Sequence, residues 1–382
     1  MGKDRRARAL LPMIVVLFWF AQYIYIPFQT PFLTAIGVSA GFIGVIVGAY
    51  GVSQMALRLP VGVMADHVGR HRGFILLGGL FAGIASLVRV ALYDGVGFLV
   101  GNLFSGLASA MWISFMVRYT GFYPPEEQQK ATARIILYNN AGMLAGFICG
   151  TLLYGRTSMR LLCALSAVAG LLAAALAALM EPEHPEGNRP GVAELLPVCL
   201  NRRLIFFSLL AVVQQGVQMS TTMSFTNQVL KGLGATDAVI GAASIFYMLS
   251  AVGFAYLASS RLVVKLGPRS VVAGCFGVLA VYCLLVPTAR AVSVVFALQM
   301  LPGVSTGLLF STLTAQAMAE VPLRQKSTAM GFFQAVYALG MTLFPIVAGR
   351  MADQWGMSSA YFALSATAAL AGLIALWRVG RR

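Results

Sequence analysis

Residues 214–227, QQGVQMSTTMSFTN, place three glutamines, five hydroxyls and an asparagine in a stretch that is otherwise apolar, from LIFFSLLAVV before it to QVL after it. At 100° per residue, Gln214, Gln215, Gln218, Thr221, Thr222 and Thr226 share an arc of about 140°. Amides and hydroxyls donate and accept hydrogen bonds without ionising near neutral pH. Their chemistry is therefore recognition of a polar solute, or hydrogen bonding between helices, rather than acid–base or nucleophilic catalysis. Ser220, Ser224 and Asn227 fall off the arc and suit bonds to neighbouring helices. A second stripe, Gln22, Tyr25 and Gln29 at i, i+3 and i+7, lies in the first apolar run, and Asn139 and Asn140 are further candidates for the same lining.

Groups capable of harder chemistry stand elsewhere. All twelve Asp and Glu residues fall in loops or at the ends of apolar runs, and His67, His71 and His184 fall in loops. The five cysteines show no CxxC spacing, and no HExxH or Gly-x-x-x-x-Gly-Lys-[ST] sequence occurs. No metal or cofactor is expected, and an integral membrane enzyme lacks the embedded acids or ligands it would need. Arg118 is the unusual charge, lying within an apolar run beside Ser114 and Phe115. It suits either of two roles: a counter-charge for an organic anion, or a latch reaching Asp66 or Glu126. Arg58, also inside a run, reads as structural.

The elements that must hold these residues are membrane helices. Of 382 residues, 59% are hydrophobic and 10% charged, far from the roughly 25% charge of a soluble domain. Twelve apolar runs follow one another, the first at about 10–35 and the last at about 358–377, each near the ~20 residues that cross a bilayer. The net charge of +15 could suggest nucleic acid, but its placement argues for topology. With the N-terminus inside, 19 of the 27 basic residues fall at inside loops and tails. Arg89, Arg156, Arg160, Lys231, Arg290 and Arg350 fall at outside ends, with Arg58 and Arg118 within runs. That bias predicts that both termini are cytoplasmic. No nucleic-acid partner is expected.

The chain repeats itself. IGVSAGFIGVIVGAY at 36–50 matches LGATDAVIGAASIFY at 233–247, pairing Gly37 with Gly234, Ser39 with Thr236 and Tyr50 with Tyr247. QKATA at 129–133 matches QKSTA at 325–329 with nearly the same offset. Two parallel six-span halves, 1–180 and 204–382, are predicted on either side of a polar linker at 181–203. Such repeats are a transporter arrangement, with solute handled near the bilayer midplane. The loop GVMADHVGRHR at 62–72 carries Gly62, Asp66, Gly69, Arg70 and Arg72, and resembles the Gly-x-x-x-Asp-x-x-Gly-Arg-x-Arg signature of the major facilitator superfamily. A worn copy, SRLVVKLGPR at 260–269, has Val264 at the Asp position.

The resemblance implies an all-α fold of twelve helices in two pseudo-symmetric bundles that work by alternating access, with the signature loop as the gating motif. It also implies that spans one, four, seven and ten line a central cavity. On that reading Gln22, Tyr25, Gln29, Ser114, Arg118, Asn139, Asn140, Gln214, Gln215, Gln218, Thr221, Thr222 and Thr226 are the substrate-binding candidates. Asn102 stands where the family's exporters carry Arg, and Phe147 and Thr151 depart from the antiporter pattern of span five, although the spacing Gly142, Gly146, Gly150 suits close helix packing. Pro27 and Pro31 suit a gating kink but are also ordinary in membrane helices. The expected function is secondary transport of a small organic solute, an efflux-type export of a neutral, zwitterionic or amphipathic compound. The alternative is uptake or exchange of an organic anion on Arg118. A proton or other ion is the candidate for coupling, the chain is expected to act as a monomer, and its short loops fit a bacterial plasma membrane. A transport-dead receptor is the remaining rival.

Overall fold

The computed structural model describes residues 4–68, 70–124, 128–183, 191–257, 261–322 and 325–379, and among them the regular structure is entirely helical. Twelve helices are long and apolar enough to cross a membrane. Spans 1 to 6 are Arg6–Ala35, Ala40–Ala65, Arg72–Ala91, Gly95–Thr120, Arg134–Tyr154 and Met159–Ala178. Spans 7 to 12 are Arg202–Gly232, Asp237–Leu257, Lys265–Thr288, Val292–Met318, Thr328–Trp355 and Met357–Arg378. The shortest holds 20 residues, about 30 Å at 1.5 Å per residue, which matches the hydrocarbon thickness.

The sequence repeat is also a repeat of turn geometry. Gly37 and Gly234 follow spans 1 and 7 with φ of 84° and 87°, a region where a Cβ is penalised by about 1–2 kcal/mol. Each turn closes the same way: Val38 N–H donates to Leu33 O at 3.0 Å, and Ala235 N–H to Leu230 O at 3.0 Å. The next helix is then capped by the paired hydroxyls, Ser39 accepting from Phe42 N–H at 3.2 Å and Thr236 from Val239 N–H at 3.4 Å.

Four spans are interrupted in mid-course. Span 1 breaks at Ile24–Tyr25, between helices Asp4–Tyr23 and Ile26–Ala35, just ahead of Pro27. Span 4 breaks at Met111, and spans 7 and 10 carry π-helical turns at Thr221–Phe225 and Ser305–Leu309. At the π turn of span 7 the Ser220 and Thr221 hydroxyls donate to Gly216 O and Val217 O at 2.9 and 2.8 Å, sharing acceptors with the backbone ladder. The other described spans have no such mid-span interruption; the positive φ of Gly267, 73°, bends the chain near the start of span 9.

The described helices pack into two compact units. The first comprises 1–25, 52–201 and 321–335; the second comprises 26–51, 202–320 and 336–382. The first unit is centred on Phe18, Trp19, Trp112 and Phe115, whose ring centroids lie 4.9 to 5.8 Å apart. Such aromatic pairs contribute about 0.5–1.5 kcal/mol each beyond the area they bury. Gly142 of span 5 packs there against span 1, where an added Cβ would meet Val16 O at 2.5 Å. In the second unit, Thr30 and Ser224 hydroxyls join spans 1 and 7 at 3.0 Å.

Candidate functional site

In the first unit, Gln22 Nε2 donates to Ser105 O at 3.0 Å and to Ser109 Oγ at 3.3 Å, tying span 1 to span 4. Tyr25, on the break in span 1, lies with its hydroxyl 3.4 Å from Ser105 Oγ. Under its ring, 4.4 Å from the centroid, sits the guanidinium of Arg89. Arg89 is 0% exposed. Its Nη1 donates to Ser86 Oγ at 3.2 Å, and its Nη2 to Asn102 Oδ1 at 2.7 Å and Ser105 Oγ at 2.8 Å. Arg89 lies in the last turn of span 3, at a span end as the sequence places it, but its side chain is buried in the bundle. Helical side chains lean toward the N-terminus of their helix, so from the last turn of span 3 this one turns back into the bundle.

In the second unit, Gln214 Nε2 donates to Gln218 Oε1 at 3.0 Å, Gln218 Nε2 donates to Tyr247 OH at 2.8 Å, and Tyr247 OH meets Thr306 Oγ1 at 2.9 Å. The chain of amides and hydroxyls crosses from span 7 through span 8 to the π turn of span 10. Thr221 and Thr222 hydroxyls lie 3.5 Å apart. Thr226 belongs to a different group, meeting Tyr282 OH and Tyr361 OH at 2.7 Å each, while Tyr282 donates to Gln299 Oε1 at 3.1 Å. A wheel of 100° per residue loses phase across a π turn, and this separates Thr226 from the glutamine stripe. Gln29 is buried with its Oε1 unpartnered, as is the Ser114 hydroxyl. Gln215, Asn139 and Asn140 are half-buried and enter neither network.

The repeat carries into these groups. Gln22 and Gln218 stand 196 residues apart; Ser109 and Thr306, and Asn102 and Gln299, stand 197 apart. The family model described as Major Facilitator Superfamily matches residues 13–231 and 209–382. The chain belongs to the Major Facilitator Superfamily. An uncharacterised MFS-type transporter of Methanocaldococcus jannaschii is 22% identical over 369 residues, covering 93% of each chain. The inner membrane transport protein YajR of Escherichia coli K12 is 28% identical over 134 residues, covering 35% of this chain and 29% of its own. Among solved structures, a mutant of the nucleoside transporter NupG matches with a TM-score of 0.80 at 12% identity, covering 97% of this chain and 99% of that one. A bacterial homologue of the human lysosomal transporter Spinster matches at 0.75 and 16%, covering 99% and 96%. The chain is therefore a multi-pass membrane transporter with the superfamily's twelve-helix fold, and not an enzyme.

The superfamily's signature loop is part of an ionic junction in the first unit. Glu183 accepts from the backbone N–H groups of His71 and Arg72 at 2.5 and 3.1 Å, which caps span 3, and its other oxygen pairs with Arg118 Nε at 3.2 Å. Arg72 donates to the last carbonyls of span 6, Ala177 O at 3.4 Å and Ala178 O at 2.6 Å. Arg118 thus pairs with Glu183, where the sequence suggested Asp66 or Glu126. Glu126, Gly69 and the side chain of Asp66 lie outside the described residues. Gly62 is buried, and Arg70 is exposed beside a cavity of about 470 Å³ lined also by Val68, Arg72, Phe74 and Glu183. Arg58 is buried and donates to Gln54 and Gln334, clamping span 2 to span 11. Burial lowers the pKa of His71, partly offset by Glu183.

Sequence reasoning missed Arg89, Asn102, Ser105, Tyr247 and Thr306 as members of these groups. Two signals were present. Asn102 stands where the resemblance to the family's exporters leads one to expect Arg, and Tyr247 is the repeat partner of Tyr50.

Proposed function

We propose that this chain is a secondary transporter that exports a small neutral, zwitterionic or amphipathic organic compound by alternating access of its two six-span halves. Both termini lie in the cytoplasm of a bacterial cell on this reading, and a gradient rather than ATP drives the cycle. The observation that carries it is the uncharged chain Gln214–Gln218–Tyr247–Thr306, which runs from the turn of span 7 just ahead of its π segment to the π turn of span 10. Polar groups cannot economically face lipid, π turns concentrate at functional positions, and amides with hydroxyls match a solute of hydrogen-bonding groups. The broken spans 1, 4, 7 and 10 supply the flexible points that a rocking cycle needs. Arg118 pairs with Glu183 at 3.2 Å, which supports its reading as a latch rather than as the counter-charge for an organic anion.

The test is counterflow in proteoliposomes with a solute identified by thermal-shift screening. Gln218→Ala should reduce initial uptake at least tenfold with the fold retained. Unchanged kinetics in that variant would remove the chief support for the reading.

A further inference from the structure

We infer that Arg89 is a binding residue for an acidic group, so that the transported solute is a zwitterion that bears a carboxylate. The inference rests on the transporter reading and narrows its substrate class. Its basis is a charge left without a counter-charge. No carboxylate of the described residues pairs with Arg89, whose partners are two serine hydroxyls, one amide oxygen and the face of Tyr25. A guanidinium has five N–H donors; Nε has no acceptor, and the three bonds above leave a second donor, on Nη1, unfilled.

The lean of a helical side chain turns Arg89 into the bundle but supplies no counter-charge for it there. Arg89 stands three residues from Leu92, at the end of its helix, where a long basic side chain normally reaches out to water. It turns inward instead, into space that span 4 leaves by having glycine at 101, where a Cβ would meet Arg89 Nε at 2.7 Å. A buried, unpaired ion in a membrane bundle is costly and marks a functional position by default. The cover over it is movable in kind. Tyr25 lies on the break in span 1. Bending of span 1 there lifts the ring from the guanidinium and opens a way to the unfilled donors on Nε and Nη1, which lie on separate edges of the plane and can each donate one hydrogen bond to a carboxylate.

The test uses the purified full chain and probes that differ only in charge: benzoate against benzamide, phenylalanine against phenylalaninamide, and hippurate against its methyl ester. Thermal unfolding is read for wild type, Arg89→Lys and Arg89→Gln. At least one acid should raise Tm by several degrees in wild type while its uncharged-carboxyl partner does not. Arg89→Lys should keep part of the shift, and Arg89→Gln none. A purely structural Arg89 would lower every Tm yet leave discrimination between acid and amide unchanged, and that outcome overturns the proposal. So does the absence of a shift with every acid, or equal shifts for an acid and its amide, both of which wild type alone reveals should Arg89→Gln not fold. Counterflow that is lost in Gln218→Ala but kept in Arg89→Gln retains the transporter reading and removes this one.

Discussion

The two polar groups are built on one repeated frame but differ in what they hold. Asn102 of span 4 accepts a hydrogen bond from the Arg89 guanidinium of span 3, and Gln299 of span 10 accepts one from the Tyr282 phenol of span 9. In the second unit the phenol is shared among neutral partners, with Thr226 between Tyr282 and Tyr361. In the first unit a full charge sits among neutral acceptors too few to fill its donors. The frame therefore tolerates a cation or a phenol at this place, and the unfilled donor is charged in the first unit, on Arg89 Nε, and neutral in the second, on Gln299 Nε2.

Breaking the frame at matched positions should expose that difference first. Asn102→Leu removes one of three hydrogen bonds to a buried cation and should destabilise the chain by about 2 kcal/mol, whereas Gln299→Leu removes a neutral bond and should cost about 1 kcal/mol. Unfolding in mixed micelles compares the two directly, and equal losses would mean that the charge on Arg89 is compensated in some other way. Next in size is Tyr247→Phe, which cuts the link from Gln218 to Thr306 and should cost about 1 kcal/mol of stability with a several-fold fall in counterflow. A control sits outside the contrast. Ser39→Ala and Thr236→Ala remove caps made alike, so their losses, each about 1 kcal/mol or less, should agree within error.

The smallest effect concerns pH. Burial holds the folded pKa of His71 below its ordinary value, so the unfolded chain binds its proton first as pH falls through about 6.5. Stability is then lost from there down to the lower folded pKa and is fully present above 6.5. His71→Gln should flatten the decline in Tm between pH 7 and pH 5 by a small but resolvable amount.

Much of the architecture was legible because membrane burial writes itself into composition: twelve apolar runs, a parallel repeat and a signature loop led to the fold that the family match and solved relatives show. The paired turns at Gly37 and Gly234 were visible as sequence identities before their positive φ angles were known. The polar groups were only half legible. Gln22, Tyr25 and Gln218 stood out as amide and hydroxyl stripes. Arg89 did not, because counting charges by distance to the nearest membrane face takes no account of the direction in which a helical side chain leans. Thr226 was assigned to the glutamine face because no pattern of residue types announces a π turn, which depends on how hydroxyls bond to the backbone. Glu183 could not be matched to Arg118 either, since the two are 65 residues apart with no shared periodicity.

The aromatic centre of the first unit has an optical consequence. The chain has four tryptophans. Trp355 and Trp377 are exposed near span ends, whereas Trp19 and Trp112 meet edge to face at 5.2 Å. Trp112 directly follows the break in span 4, and Trp19 precedes the break in span 1 by one helical turn. With the two outer indoles replaced by phenylalanine, the remaining emission comes from a single coupled pair set beside both interruptions. The protein thus carries an intrinsic fluorophore seated beside both interruptions, whose wavelength and lifetime would register a bend in span 1 or span 4 with no label attached.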